Sequence, residues 1–192
     1  AGQGIARFLG QDTHVELHEH EVEIDGLHGA HHGLRIGHMS DIHIGLVTPD
    51  QRIRNAVERL REAKPDLILL TGDFASRRPS PLNRLHRMLE GLPAPTFFVL
   101  GNHDHKVDAA QVVSALERGG HKHLPNRHVS LNIGGEDLHL IGLDDPVTQR
   151  HCPDSALEAL PKGGTRILLS HLAESLEEVL DRGEHMHLCV SG

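Results

Sequence analysis

The sequence predicts an α/β fold, a two-sheet sandwich of mixed, mostly parallel strands flanked by helices. In the first half of the chain, short apolar runs alternate with amphipathic helical segments, which is typical of βαβ units on a parallel sheet. A hairpin pattern then begins at Val129, and it indicates a second sheet. The 192 residues are enough for one domain, whose core must consist mostly of Leu, Ile, Val and Ala.

An N-terminal extension is predicted over residues 1–33, with the domain itself over 34–192. Within the extension, residues 15–24 predict a half-exposed edge strand, because Val15, Leu17, Val22 and Ile24 are interleaved with Glu and His.

The predicted elements of the first half are buried strands and helices with one apolar face. Ile53, Val57 and Leu60 recur at helical spacing, and Pro65 ends that helix. The predicted strands are 34–39, 67–70 and 97–100, and the predicted helices are 50–63, 81–90 and 108–118.

The second half is predicted to begin with a β-hairpin across Gly134 and Gly135. The same patterns continue to the end of the chain. They predict hairpin strands at 129–133 and 138–143, a short helix at 154–160, a strand at 166–169, a helix at 173–180 and a last strand at 187–190.

The composition disfavours nucleic acid as a partner. The net charge is −8, there is no Trp or Tyr, and there are four Phe, so neither a basic footprint nor a stacking platform for nucleic acid is expected. Cys152 and Cys189 match no zinc or redox spacing, so we interpret them as reduced thiols.

No apolar run is long enough for a transmembrane helix and no signal peptide is visible. We expect a cytoplasmic protein or one peripheral to the inner membrane; an upstream targeting segment stays open because the first residue is not Met.

Histidine is abundant, with 19 residues. Three pairs have HxH spacing: His18/His20, His121/His123 and His185/His187. Since no carboxylate or thiol is placed to complete a metal site with them, they are interpreted as solvated surface residues. His139 is likewise predicted to be an exposed strand residue.

Metal-capable side chains follow several of the apolar runs. Asp41 and His43 follow the first buried strand, Asp73 the second, Asn102 the third, and His171 a later one. In open α/β sheets the loops beyond the carboxyl ends of the strands form the ligand crevice. Carboxylate, imidazole and amide oxygen are ligands of first-row divalent metals. The pattern therefore predicts a metal site, and two metals could share one bridging carboxylate, for which Asp73 is the candidate.

The same segments carry a family resemblance. Ser40–His43, Thr71–Asp73, Gly101–Asp104 and Ser170-His171 resemble the first four motifs of the calcineurin-like metallophosphoesterases, over residues 34–192. More narrowly, Leu140–Pro146 is similar to a branch of bacterial phosphodiesterases that includes UDP-2,3-diacylglucosamine pyrophosphatase-like enzymes.

The resemblance implies two divalent ions, Mn, Fe or Zn, that activate a hydroxide for attack on a phosphodiester. Asp41 and His43 would bind the first ion, Asp73 would bridge, and Asn102 and His171 would bind the second.

The resemblance also implies a catalytic pair and a substrate class. His103 would sit over the scissile phosphate and protonate the leaving oxygen, with Asp104 orienting it. The substrate would be a small or lipid-linked phosphoester, with peripheral membrane association open. Asp144 and Asp145 follow a strand and could be loop structure, or could contact substrate or support the residues that do.

One departure concerns the family's fifth motif, Gly-His-x-His. Gly192 would be its glycine, so the chain is expected to be truncated at its C-terminus and to lack two histidine ligands. Alternatively, His185 and His187 would substitute for them. Two rival functions stay open: a metal-binding scaffold that kept the fold and lost hydrolysis, and a His-rich metal buffer.

Overall fold

The computed structural model describes residues 13–45, 48–77 and 81–192. Its first sheet is fully parallel and has the order β1-β2-β3-β4. The strands are β1 (Ile36–Met39), β2 (Leu67–Leu70), β3 (Thr96–Phe98) and β4 (Lys122–His123). Because successive strands lie side by side and parallel, their carboxyl ends all meet at one edge of the sheet.

The second sheet is mixed and has the order β5-β6-β7-β8. Its strands are β5 (Arg127–Ile133), β6 (Glu136–Gly142), β7 (Thr165–Leu169) and β8 (Leu188–Val190). The predicted hairpin is confirmed: β5 and β6 are antiparallel, and Gly134 and Gly135 turn the chain with φ of 64° and 89°. The pairs β6–β7 and β7–β8 are parallel.

The helices connect the strands and cover the outer faces. They are α1 (Asp50–Ala63), α2 (Leu82–Leu89), α3 (Asn102–Val107), α4 (Ala109–Arg118), α5 (Pro153–Leu157) and α6 (Ser175–Leu180). Helix α1 buries Ile53, Val57 and Leu60, as its apolar periodicity predicts, and Lys64 ends it in the left-handed region. Helix α3 was not predicted, since a helix was expected only from residue 108.

The core has three apolar layers. The middle layer lies between the sheets, with Leu69 and Val99 of the first sheet against Leu140 and Ile167 of the second. An outer layer packs Ile68, Leu70 and Phe98 under α1, α2 and α4, and another packs Ile141 and Leu168 under α5 and α6. Strand residues alternate between layers because successive side chains point to opposite faces. The predicted sandwich flanked by helices is confirmed.

One predicted strand is absent from the structure, and one observed strand was not predicted. Residues 15–24 form no strand, although the segment was predicted to be an edge strand, and residues 1–12 of the extension lie outside the described part. Alternation of Val and Leu with Glu and His shows only that one face is apolar; here Leu17 and Val22 stay exposed at 42% and 59%. The two-residue β4 was missed because it is too short to show a period.

Several histidines are buried, contrary to the prediction. His139 and His121 are 1% and 6% exposed. Ser130 Oγ and the Gly163 carbonyl contact the two ring nitrogens of His139, and the Leu89 carbonyl lies 3.2 Å from Nε2 of His121. Hydrogen bonds therefore replace the water that the prediction assumed. His18, His20 and His185 are exposed as predicted.

Two further expectations concern the thiols and the membrane. Cys152 and Cys189 are free thiols. In the described parts of the chain, no helix has the length and apolar character needed to cross a bilayer.

Candidate metal centre

The carboxyl ends of β1 and β2 are tied together by their backbones. Asp41 N–H donates to the Gly72 carbonyl at 3.1 Å, and His43 N–H donates to the Asp73 carbonyl at 2.9 Å. Asp41, His43 and Asp73 all have positive φ, of 53°, 45° and 55°. Left-handed conformations are uncommon for residues with a Cβ and cluster at functional sites, where the surroundings hold them. The strained turns lie at the edge where the predicted ligands meet.

Asp73 lies at the centre of the cluster and is 3% exposed. Its Oδ2 is 3.7 Å from Nε2 of His43 and 3.5 Å from Nε2 of His171. Nε2 of His43 is also 3.6 Å from Oδ1 of Asp41. These gaps are too long for hydrogen bonds. They suit ligand atoms that share a cation about 2.1 Å from each of them.

Two groups of three ligands can be defined around Asp73. One contains His43, Asp73 and His103, and the other contains Asp41, Asp73 and His171, with all ligand atoms of a group within 4.8 Å of one another. Neutral imidazole with carboxylate fits Mn, Fe or Zn. The shared Asp73 is placed to contact a cation in either group.

Backbone carbonyls orient the histidine rings. Nδ1 of His43 lies 3.1 Å from the Ala75 carbonyl, and Nδ1 of His171 lies 2.8 Å from the Thr71 carbonyl. A carbonyl can only accept, so Nδ1 carries the proton in both rings. The Nε2 lone pairs are then left for a metal, an arrangement common among metal-binding histidines.

His103 lies beside the cluster and is fixed at both its backbone and its ring. Its N–H donates to Oδ1 of Asp73 at 2.9 Å, which leaves Oδ2 of Asp73 to face His43 and His171. Its Nδ1 lies 2.8 Å from the Ser76 carbonyl, and its ring stands edge-on to that of His43, with centroids 5.0 Å apart. Its Nε2 is therefore available to a metal or to a substrate oxygen.

Asp104, which was predicted to orient His103, is fully buried; its hydrogen bonds go to the backbone of the loops, whereas Nδ1 of His103 faces the Ser76 carbonyl. Oδ1 of Asp104 accepts the Ala75 N–H at 2.8 Å and its Oδ2 accepts the Gly101 N–H at 3.0 Å. Burial raises the pKa of Asp104 to about 6, although these N–H bonds pull it down. The carboxyl joins the loops after β2 and β3. The partner of the His103 ring is the carbonyl of Ser76, a residue that no sequence motif singles out.

Asn102, the predicted amide ligand, begins α3 at the same edge. Its Oδ1 accepts a hydrogen bond from the exposed Lys106 ammonium at 3.0 Å. The amide oxygen thus has a solvent-exposed partner, and its role as a metal ligand stays a prediction.

Gly192 lies directly beside the cluster. Its N–H donates to the His171 carbonyl at 3.1 Å, and a Cβ built on it would lie 3.0 Å from Oδ2 of Asp41. His185 and His187 are elsewhere: the backbone of His187 pairs with Arg166, near the start of β7, whereas His171 follows its end. Five residues of strand span about 16 Å. The alternative in which His185 and His187 supply ligands to this cluster is therefore wrong.

The two carboxylates after β6 have different surroundings. Oδ2 of Asp145 accepts both the N–H and the hydroxyl of Thr148, so Asp145 shapes its own loop. Oδ1 of Asp144 instead lies 2.6 Å from Nε2 of His105, a residue of α3 that the sequence did not single out.

Together, the parallel strand ends and the two ligand groups around one buried carboxylate define a metal-binding α/β protein. The family model for calcineurin-like phosphoesterases matches residues 34–188. The chain belongs to this family, a family of metal-dependent hydrolases, as its sequence motifs predict.

Several metallophosphoesterases are similar to this chain in sequence. An uncharacterised metallophosphoesterase of Aquifex aeolicus is 28% identical over 98% of this chain and 74% of its own length. The phosphodiesterase YaeI of Escherichia coli is 30% identical over 79% of this chain and 57% of its own. The UDP-2,3-diacylglucosamine pyrophosphatase LpxG of Chlamydia muridarum is 39% identical over 38% of this chain and 23% of its own. The chain thus spans only about half or less of the two relatives with a named activity.

A solved structure supports the fold. The 5'-nucleotidase precursor of Thermus thermophilus has a TM-score of 0.57 and 19% identity, over 83% of this chain and 41% of that one. At this identity the match concerns the fold alone.

Proposed function

We propose that this protein is a phosphodiesterase that uses two divalent ions to hydrolyse a phosphoester. The observation that carries the proposal is that one buried carboxylate, Asp73, belongs to two ligand groups. A pair of ions about 3.5–4 Å apart can stabilise both the attacking and the leaving oxygen of an in-line displacement. The assignment of the remaining ligands follows the motif resemblance: Asp41 and His43, whose Oδ1 and Nε2 lie 3.6 Å apart, would hold one ion, and His171 with Asn102 the other. In the structure Asp41 also lies close to His171, and His43 close to His103, so the two sites would adjoin each other around Asp73.

The protein's own groups would do the remaining work. When bound, the ions supply an activated hydroxide and neutralise phosphate charge. Asp73 offers Oδ2 to the site because its Oδ1 is occupied by the N–H of His103. His103 has its proton on Nδ1, toward the Ser76 carbonyl, so a second proton on Nε2 could be given to the leaving oxygen.

The proposed substrate is a small or lipid-linked phosphoester. LpxG, by its name, acts on a nucleotide-linked diacylated sugar, and YaeI is named a phosphodiesterase. The net charge of −8 and the absence of Trp and Tyr disfavour a nucleic-acid polymer. A lipid-linked substrate would bring the protein to a membrane surface without a spanning helix; a cytoplasmic location is part of the same proposal.

The test is hydrolysis of bis-p-nitrophenyl phosphate by the manganese-loaded protein and by His103→Ala. We expect kcat to fall about 10²–10⁴-fold, the usual share of a general acid, while bound manganese stays unchanged. His128→Ala is the matched control, because His128 also contacts a backbone carbonyl through Nδ1 but lies on β5.

Two outcomes would contradict the proposal. If the wild type hydrolyses no phosphodiester while holding two ions, the metal-binding scaffold becomes the better account. If many weakly held ions are found instead of two, the chain is a His-rich metal buffer.

A further inference from the structure

Helix α3 carries two residues of the proposed site but is too short to be stable by itself. It has six residues, begins with Asn102 and His103, and buries Asp104 and Val107. Isolated helices of this length are unstable, so tertiary contacts must fix its orientation. Asp104 ties its start to the loops of the first sheet.

A second tie joins α3 to the other sheet. Nε2 of His105 lies 2.6 Å from Oδ1 of Asp144, and the two side chains are only 6% and 12% exposed. Asp144 follows β6, which belongs to the second sheet. The bond therefore spans the sandwich, from the helix after β3 to the loop after β6.

The Asp144 end of this tie is itself anchored. Asp144 N–H donates to Oδ1 of Asn126 at 3.1 Å, and Asp145 N–H donates to Oδ1 of Asp144 at 2.8 Å. Asn126 also accepts the Cys152 N–H and donates to the Arg150 carbonyl. The carboxylate is held by a hydrogen-bonded loop, so it can transmit a fixed position to His105.

We propose that His105 and Asp144 are positioning residues for the hydrolysis: their bond sets the orientation of α3, and hence of Asn102 and His103 relative to Asp73. The inference rests on the proposed function. Of the roles that the sequence left open for Asp144, it selects the support of site residues over loop structure alone or substrate contact, and it adds His105 as the partner. Reacting groups displaced by about 1 Å can lose two orders of magnitude in rate, so such a support matters even without touching substrate.

The first measurement compares Asp144→Ala with wild type on bis-p-nitrophenyl phosphate. We expect kcat to fall about 10–100-fold, as for other outer supports of a metal site, with KM changed less than about twofold. Asp144→Asn keeps an acceptor oxygen in the same place and should recover kcat to within about threefold of wild type. If Asp144 served stability alone, kcat would be the same in all three proteins at a temperature where all of them are folded.

The second measurement is a double-mutant cycle of Asp144→Ala, His105→Ala and the double variant. His105→Gln is the conservative variant, because it keeps a hydrogen-bond donor at a similar distance from the backbone. If the two residues act as a unit, the double alanine variant loses no more than either single variant. The control is Glu184→Ala, because Glu184 forms a 2.6 Å pair with Arg166, remote from α3. It should leave kcat unchanged.

The outcomes separate the inference from the proposed function. An inactive wild type overturns the proposed function. An active wild type with an unchanged Asp144→Ala, or losses that add in the double variant, overturns the positioning role alone. If either alanine variant does not fold, Asp144→Asn and His105→Gln decide: both must keep kcat within about threefold, and a larger loss in either one contradicts the role.

Discussion

At the scale of single residues, the site depends on backbone conformations that a sequence does not display. Asp41, His43 and Asp73 all adopt positive φ. The motif letters identify these residues, but hydrogen bonds between the loops hold the strained turns that bring their side chains together. The same holds for the ring orientation of His171, which depends on the carbonyl of Thr71, 100 residues away in sequence.

His123 gives a residue-scale prediction about pH. Its ring stacks on Phe98 with centroids 4.8 Å apart, and its buried Nε2 has no hydrogen-bond partner among the described residues. Burial lowers the pKa of His123 to about 4, with Asp144 partly offsetting it. The unfolded imidazole, with its ordinary pKa of 6.5, takes up a proton first as pH falls. The stability contributed by neutral His123 is therefore present above pH 6.5 and is lost toward pH 4.

His123→Phe should remove this acid sensitivity while keeping the stack. When the pH is lowered from 7 to 5, wild type should lose about 1–2 kcal/mol more of its free energy of unfolding than the variant does. Urea denaturation at both pH values measures it. Between pH 7 and pH 8 the two proteins should change in parallel, which serves as the control. Equal losses at pH 5 would contradict the prediction.

At the scale of elements, the ends of β2 and β3 approach so closely that glycine is required. Gly72 has a φ of +94°, and a Cβ on it would lie 2.4 Å from the Gly101 backbone nitrogen. A Cβ on Gly101 would in turn lie 2.2 Å from Oδ1 of Asp73. The close backbone approach is what lets Asp73 receive the N–H of His103.

Gly72→Ala should destabilise the fold through both strain and collision. We expect a loss of about 2–4 kcal/mol in the free energy of unfolding, of which about 1 comes from the left-handed conformation. The matched control is Gly183→Ala, where φ is +76° but nothing lies within 4 Å of the added Cβ, so only the conformational cost remains. Urea denaturation measures both. Equal losses would show that the strand ends can separate freely.

At the scale of the whole molecule, the proposed centre draws ligands from both sheets. Asp41, His43 and Asp73 follow strands of the first sheet, and His171 follows β7 of the second. Bound ions would therefore cross-link the two halves of the sandwich at their shared edge. Metal should stabilise the whole fold and not one loop.

Manganese removal and Asp73→Asn test this coupling. Wild type should hold two ions per chain, and manganese at 100 times its Kd should add about 2.7 kcal/mol per site to the free energy of unfolding. Thermal unfolding with and without chelator should show a higher Tm with metal in wild type and little difference in Asp73→Asn. The control is Asp137→Asn, an exposed carboxylate on β6. If Asp73→Asn keeps the full shift, Asp73 is not shared by the ions.

The sequence determined the class of this protein and most of its elements. Strand 67–70 was predicted to the residue, because its four apolar residues are bounded by Asp66 on one side and Thr71 on the other. The metal-capable residues could be found because each directly follows such a run. These signals are local: they depend on periodicity and on neighbours in the chain.

The tertiary structure alone decided which distant groups meet. The burial of His139, the exposure of residues 15–24, the Ser76 partner of His103 and the His105–Asp144 bond all depend on segments far apart in sequence. Periodicity tells which face of an element is apolar, but not which other element covers it. Once the two sheets pack, hydrogen bonds take the place of water around buried polar groups. These hydrogen bonds fix the histidine rings at the strand ends, around the one carboxylate, Asp73, that belongs to both ligand groups.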